Sequence, residues 1–227
     1  MTARFTPRID ILPLAQQSLW PQLRAAAPLG LVLYGGTAIA LRLGHRQSVD
    51  FDFFCADALD QVPVRRSLPF LSQSTVLQDR PNALTVQVPG VDAAHRSVKV
   101  SFFGKIEFGR VGEPQFTNDG VLLVASLDDL MATKLKVILQ RSEAKDYRDI
   151  AAMLHSGVSL SRGLASAREM FRPTFQPSES LRALSFFGDG DLHTLGDGEK
   201  RILVKAAHEV RDLPDVKVVD TRLTPSA

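Results

Sequence analysis

The stretch that decides the fold reads YGGTAIALRLGHRQSVDFDFF and occupies residues 34–54. It begins at the end of a short apolar run, residues 31–34, which indicates a buried strand. Residues 37–43 favour a helix, with the first of them as its N-cap and Gly44 as its C-terminal cap. Residues 49–54 alternate apolar and acidic side chains, as is typical of a second strand. The stretch therefore predicts a strand, a glycine turn, a short helix and another strand.

Two aspartates mark the second of these strands. Asp50 and Asp52 lie two residues apart, so both side chains are expected on one face of the strand. Their carboxylates are about 6–7 Å apart, and a hard divalent cation such as Mg²⁺ or Mn²⁺ between them would replace repulsion with attraction. A solvent-facing strand with two aspartates is the alternative. The apolar residues beside them are predicted to point into a core: Val49, Phe51 and Phe53.

A pair of glycines, Gly35 and Gly36, separates the first strand from the helix. Because glycine has no Cβ atom, a phosphate chain can approach the backbone there, and the N-terminus of the helix offers unpaired N–H donors. A tight strand-to-helix turn without any ligand is the alternative. Together with the aspartates, the pair predicts a unit that brings phosphates to a metal ion.

A lysine on an apolar helix face is the next chemical feature. Residues 127–140 favour a helix, and Lys134 falls in the middle of its apolar stripe, with Arg141 on the same side. A cation in such a place must extend to solvent or meet an anion, and both remain open. Lys136 lies on the opposite face, as expected of a solvated side chain.

The helix predicted over residues 143–155 carries two further acids. Asp146 lies at the edge of its apolar face, and Asp149 flanks the same side. Lys145 could form an i,i+4 pair with Asp149, which would be only a surface contact. Ser142 is the candidate N-cap of this helix.

Composition indicates a globular protein of the cytoplasm. The 227 residues are 44% hydrophobic and 23% charged, and the net charge is +2 with a pI of about 8.8. That balance permits nucleic acid binding without indicating it. The single cysteine, Cys55, cannot pair within the chain. Neither a secretory signal nor an apolar stretch long enough to cross a membrane is found, so no membrane partner is expected.

The order of elements predicts an α+β fold. Three more strand candidates follow at residues 74–77, 84–88 and 97–103, and helices dominate the rest of the chain. We expect a nucleotide-handling α/β core over residues 1–120. Residues 121–227 are expected to form a helical C-terminal region that completes the site.

Residues 34–54, with residues 134–150, resemble the minimal nucleotidyltransferases of the polymerase β superfamily and, more narrowly, the AbiEii/AbiGii toxin family. In that superfamily a Gly-Gly or Gly-Ser turn precedes Asp-x-Asp on the next strand by about a dozen residues. The resemblance implies a polymerase β-like core with a mixed sheet, and Mg²⁺-dependent transfer of a nucleoside monophosphate from a nucleoside triphosphate. The acceptor would be an RNA 3′ end, such as that of a tRNA, a protein or a small molecule. It also implies a toxin whose antitoxin is encoded nearby.

The resemblance also implies roles for individual residues. Asp50 and Asp52 would hold the metal, and Lys134 would contact the triphosphate with the help of Asp146 or Asp149. These five form the expected catalytic set. The residues expected to bind the nucleotide are Gly35, Gly36, Thr37, Arg46, Arg141 and Lys145.

One position departs from the superfamily pattern. Related enzymes often carry a third carboxylate on a later strand, whereas alternation puts Ser101 on that face here. Either Asp146 or Asp149 substitutes for it, or Asp92 or Glu107 does, or activity is weak. A non-catalytic module that binds nucleotide or a partner while retaining the fold is therefore the alternative function.

Overall fold

The computed structural model describes residues 3–90 and 97–225 of the chain. It divides into two compact units, described separately below. The first unit comprises residues 1–109, 113–125 and 220–227, and the second comprises residues 110–112 and 126–219. The boundary predicted from the sequence lies after residue 120. Residues 121–125 instead join the first unit because a short strand within them pairs with the sheet of that unit.

A mixed sheet organises the first unit. Among the described residues its strands are β1 (Arg4–Phe5), β2 (Val32–Tyr34), β3 (Asp50–Phe54), β4 (Thr75–Arg80), β5 (Ala83–Val88), β6 (Val98–Phe103), β7 (Gln115–Thr117) and β8 (Leu123–Val124). Their spatial order is β1-β7-β8-β2-β3-β6-β5-β4. β3 pairs antiparallel with β2 and parallel with β6, so it lies in the interior of the sheet. The predicted α+β class with a mixed sheet is confirmed.

Three α-helices accompany this sheet: α1 (Leu14–Leu19), α2 (Gly35–Leu43) and α3 (Gln61–Ser67). Leucines recur at roughly helical spacing over residues 11–28, but no single helix spans them, because α1 ends at Leu19 and a 3-10 helix, Trp20–Ala25, follows. Pro21 lies at the start of that 3-10 helix, where its missing N–H costs no hydrogen bond.

The helix α2 begins two residues earlier than predicted. Its N-cap is Tyr34, so the prediction that Thr37 caps the helix is wrong. The hydroxyl of Thr37 is buried and donates to the backbone oxygen of Asp50 instead. Gly44 ends the helix in the left-handed conformation, with φ of 65°, as predicted. The side chain of Thr37 thus ties α2 to the first residue of β3.

Aromatic rings form the core on one face of the sheet. Phe51 and Phe53 are fully buried, and Phe53 stacks on Phe102 with ring centroids 5.5 Å apart. Val49, which was also predicted to face the core, is 53% exposed. It precedes the first residue of β3, so the alternation of the strand does not extend to it.

Helices build the second unit: α4 (Leu127–Val137), α5 (Ala144–His155), α6 (Leu160–Met170), α7 (Pro177–Ala183) and α8 (Asp197–Glu209). α4 ends three residues earlier than predicted. α4 packs on α6 so closely that a Cβ atom on Gly163 would lie 2.3 Å from Cγ of Met131. No helix in the described part of the chain is long and apolar enough to cross a membrane.

A buried carboxylate fixes the start of α4. Ser126 caps the helix by accepting from the Asp129 N–H at 3.1 Å. The Asp129 carboxylate in turn accepts from the Ser126 hydroxyl at 2.7 Å and from the Val111 N–H at 2.8 Å. Burial raises the pKa of Asp129 to about 6, against the opposing effect of these hydrogen bonds.

This raised pKa predicts a pH-dependent stability. Asp129 contributes fully to stability below about pH 4, where it is protonated in both states, and that contribution is lost as the pH rises through its folded pKa of about 6. Two pKa units correspond to about 3 kcal/mol. The free energy of unfolding of Asp129→Asn is therefore compared with that of wild type at pH 4 and at pH 7. The difference, variant minus wild type, is expected to be about 3 kcal/mol more favourable to the variant at pH 7 than at pH 4. Denaturant titrations at each pH check it, with the exposed Asp212→Asn as control; a pH-independent difference would contradict the expectation.

Candidate active site

The two predicted metal ligands lie on one face of β3. Asp50 and Asp52 are partly exposed, whereas the phenylalanines that alternate with them are fully buried on the opposite face. The predicted alternation is therefore present in the structure. Each carboxylate has an in-register neighbour on β6, and these neighbours decide the chemistry beside it.

The neighbour of Asp52 on β6 is Ser101, and its neighbour on β2 is Tyr34. Directly paired residues project from the same side of a sheet. The hydroxyl of Ser101 therefore lies beside Asp52, at the position where related enzymes often carry a third carboxylate. Of the substitutes proposed for it, Glu107 is exposed in a loop, and Asp92 falls outside the described residues. The face thus carries two carboxylates and a hydroxyl.

A lysine that the sequence analysis missed is the neighbour of Asp50. Lys99 pairs in register with Asp50, and its Nζ atom lies 3.1 Å from Oδ2 of the carboxylate. The alternation that assigned Ser101 to this face also assigns Lys99 to it, two residues earlier, so the signal was present. The predicted metal site contains an ammonium group beside one of its ligands.

The turn before α2 fits closely against the other ligand. Gly35 has φ of 76°, and a Cβ atom built on it would lie 2.8 Å from Oδ2 of Asp52. Gly36 follows it in the first turn of α2. The first glycine is therefore required both for its backbone conformation and for the space that the Asp52 carboxylate occupies.

This contact makes Gly35→Ala a specific probe. We expect a loss of stability of about 1–2 kcal/mol from the left-handed backbone, and a fall in catalytic activity because the added methyl group displaces the Asp52 carboxylate. Gly30 is a matched control, since its φ is 75° but no atom lies within 4 Å of its would-be Cβ. Gly30→Ala should lose similar stability and retain activity. Equal activities in the two variants, measured beside their melting temperatures, would contradict the role of the contact.

The other predicted nucleotide ligands of the first unit have backbone partners. Thr37 donates to the backbone oxygen of Asp50, as described above. Arg46 is half-buried, and its Nη1 atom donates to the backbone oxygen of Gln47 at 2.8 Å. The structure therefore brings together Gly35, Thr37, Asp50 and Asp52, with Lys99 added to them.

The predicted site residues of the second unit form an ion cluster between α4 and α5. Nζ of Lys134 lies 2.6 Å from Oδ1 of Asp146 and 2.7 Å from Oδ2 of Asp149. Arg141 donates from Nε to Oδ2 of Asp146 at 2.8 Å. The Lys134 side chain is only 7% exposed, and both carboxylates are fully buried. The sequence left open whether Lys134 extends to solvent or contacts an anion. In the structure it contacts two carboxylates.

The charges of this cluster balance. Burial raises the pKa of Asp146, but the hydrogen bond from Arg141 and the charge of Lys134 outweigh it and hold that pKa below its ordinary value. The formal charges of the two cations and the two carboxylates sum to zero. Lys145 pairs with Oε2 of Glu143 at 2.7 Å rather than with Asp149, and Oε1 of the same Glu143 lies 3.6 Å from Nε of Arg141.

The N-terminus of α5 is held from a distant part of the chain. The prediction that Ser142 caps this helix is wrong, because the helix begins at Ala144 with Glu143 as N-cap and no side-chain bond from it. Oδ1 of Asp191 accepts from the Ala144 N–H at 2.6 Å instead. A carboxylate at a helix N-terminus is favourable, and here it secures the turn that carries Asp146.

The donor set of β3 fits a magnesium ion. Mg²⁺ is usually held by one or two carboxylates, with substrate phosphates and water completing its shell. Asp50 and Asp52 supply two partly exposed carboxylates on one face. Within residues 3–90 and 97–225, no group of three His, Cys, Asp or Glu side chains could hold a metal. The first unit therefore offers two carboxylate ligands, and phosphate oxygens and water would have to complete the coordination shell.

Comparisons with known proteins give a family match and a partial match to one relative. A family model described as nucleotidyl transferase AbiEii toxin, type IV toxin–antitoxin system, matches residues 23–216. An uncharacterized protein of Aquifex aeolicus is 32% identical over 120 residues, which cover 52% of this chain and 54% of that protein. The match thus spans about half the length of the relative. The predicted site residues of each unit lie within the region that the family model covers.

Proposed function

The chain belongs to the AbiEii family of nucleotidyl transferase toxins of type IV toxin–antitoxin systems, and from this we propose that it transfers a nucleoside monophosphate from a nucleoside triphosphate to an acceptor hydroxyl. The observation that carries the proposal is the pair Asp50 and Asp52 on one face of β3, with Gly35 fitted against the second carboxylate. Sequence, fold and side-chain chemistry all support this function.

In the proposed reaction, an acceptor oxygen attacks the α-phosphorus, the bond between the α-phosphorus and the bridging oxygen breaks, and pyrophosphate leaves. Asp50 and Asp52 would hold Mg²⁺ or Mn²⁺. The bound metal would supply positive charge to the phosphate oxygens. The first N–H groups of α2, at the glycine pair, offer donors to a phosphate. Ser101 cannot accept a proton near neutral pH. We therefore propose that a water molecule takes the proton that the acceptor hydroxyl loses.

We assign the ion cluster of the second unit to the triphosphate, as the family resemblance implies. Lys134 and Arg141 would donate to phosphate oxygens, and Asp146 and Asp149, which balance their charge, orient these cations through the contacts given above. Lys145 and Arg46 are additional candidates for phosphate contact, since the Lys145 side chain is about half exposed and Arg46 is half-buried. Catalysis of this kind depends mainly on positioning and on charge stabilisation.

In the cell, we propose that the protein is the toxin of a pair whose antitoxin is encoded nearby. The acceptor is an RNA 3′ end, a protein or a small molecule. An incubation with each α-³²P-labelled nucleoside triphosphate, Mg²⁺ and total cellular RNA and protein tests this. Label that becomes acid-insoluble and is released by ribonuclease identifies an RNA acceptor, and release by protease identifies a protein. Chelation of the metal by EDTA is expected to abolish labelling.

A second candidate function is a nucleotide-binding module without transfer. The observation that favours it is Ser101, which stands beside Asp52 in place of an acid. Under this alternative, nucleoside triphosphate binds to the protein in equilibrium dialysis, yet no label reaches any acceptor in the panel. Labelling of a single acceptor excludes it.

A further inference from the structure

Lys99 is a charged residue beside the predicted metal ligands, and the proposed function gives it no role. Its Nζ atom lies 3.1 Å from Oδ2 of Asp50, and the two residues are in-register partners on β6 and β3. We infer that Lys99 is a resident cation of the carboxylate site, so that the site takes one divalent ion where a two-metal site would take two. The inference rests on the proposed function, because it assumes that Asp50 and Asp52 hold metal.

The number of anionic ligands limits how many metal ions the site can hold. Two-metal sites hold their ions about 3.5–4 Å apart, so carboxylates must bridge both ions. The β6 positions beside Asp50 and Asp52 carry an ammonium and a hydroxyl, and no third acid joins them within the described parts of the chain. With one oxygen of Asp50 paired to Lys99, the remaining ligands suffice for one ion.

Lys99 also lowers the negative charge that attracts a metal ion. Two carboxylates give the face a charge of −2, and the ammonium of Lys99 reduces it to −1. A divalent ion that enters the site is repelled by the ammonium and must compete with it for Asp50. Because the Lys99 side chain is 41% exposed and that of Asp50 is 33% exposed, solvent screens both effects without removing them.

The ion pair between Lys99 and Asp50 is partly exposed to solvent. A partly exposed ion pair of this kind contributes little to folding, so stability alone does not explain a lysine at this position. Its neighbours on the same face are the predicted metal ligands. Replacement of Lys99 is therefore expected to leave the melting temperature nearly unchanged and to alter metal binding.

Titration of the intact, nucleotide-free protein with Mn²⁺, followed by the electron paramagnetic resonance signal of free Mn²⁺, tests the inference. Wild type is expected to bind one Mn²⁺ weakly, and Asp52→Asn to bind none at that site. Lys99→Met is expected to bind Mn²⁺ roughly tenfold more tightly, because the competing charge is gone. Lys99→Arg, which keeps the charge, and Lys217→Met, which removes an exposed lysine of the second unit, are expected to match wild type.

The outcomes separate the inference from the proposed function. If Asp52-dependent binding occurs in wild type but Lys99→Met binds no more tightly, the role of Lys99 is wrong and the metal site stands. If neither protein binds Mn²⁺, the metal site itself is wrong, and the inference falls with it. Two Mn²⁺ ions per wild-type chain, measured with a non-hydrolysable α,β-methylene nucleoside triphosphate after correction for nucleotide-bound metal, would also overturn it.

Discussion

Asp52→Asn is expected to lower the rate of nucleotidyl transfer about a thousandfold or more, since the metal ion supplies several kcal/mol of charge stabilisation to such reactions. The amide replaces one anionic oxygen with a neutral donor, which a hard cation does not accept as a ligand. Asp50→Asn should act in the same direction, because both carboxylates lie on the same face of β3. Initial rates at saturating nucleoside triphosphate and Mg²⁺ measure both effects.

A matched control comes from the same segment of the chain. Asp57 is exposed and follows β3 by three residues, so Asp57→Asn removes one carboxylate without touching the site face. It should retain transfer at the wild-type rate. Melting temperatures should stay close to wild type in all three variants, because the replaced carboxylates are exposed or partly exposed. Full activity in Asp52→Asn would contradict the site assignment.

Lys134→Met should produce the largest loss of stability. The substitution removes the cation that lies within 2.7 Å of two fully buried carboxylates. Leaving a buried charge without its partner typically costs about 3–5 kcal/mol. Denaturant unfolding of wild type and variant measures the difference. The loss should diminish at low pH, where protonation removes the charge that Lys134 had compensated.

Two further variants separate charge from packing. Lys136 lies on the same helix, and its Nζ donates to the backbone oxygen of Thr174 at 2.7 Å. Lys136→Met removes the same charge without stranding an anion, so it should cost at most about 1 kcal/mol. Combining Lys134→Met with Asp149→Asn should recover part of the lost stability, because one stranded charge is removed. A loss in Lys134→Met no larger than that in Lys136→Met would contradict the cluster.

Local patterns predicted the parts of the site that depend on one element. The period of two in β3 placed Asp50 and Asp52 together, and the position of Gly44 predicted the end of α2. The start of α2 was harder to predict, because Thr37 is a good N-cap by type but donates to Asp50 across the unit instead. The local preference of a residue for a cap position is overridden when its side chain has a better-placed hydrogen-bond partner elsewhere in the fold.

Contacts between distant segments could not be predicted from periodicity. The helical pattern put Lys134 on an apolar stripe, but it did not reveal that α5 would present two carboxylates to it. The bond from Asp191 to the start of α5 spans 47 residues, and no local signal marks it. β7 and β8 were missed because runs of three and two residues are too short for an alternation to appear.

The most direct test of the central claim follows where the α-phosphate and the γ-phosphate of the nucleoside triphosphate go. Parallel reactions would contain the same nucleoside triphosphate, labelled with ³²P at the α or at the γ position, together with the acceptor found above. Nucleotidyl transfer predicts that the α label enters the acceptor, and that pyrophosphate carrying the γ label is released in equal amount. Appearance of the γ label on the acceptor, or release of inorganic phosphate without labelling of any acceptor, would contradict the account.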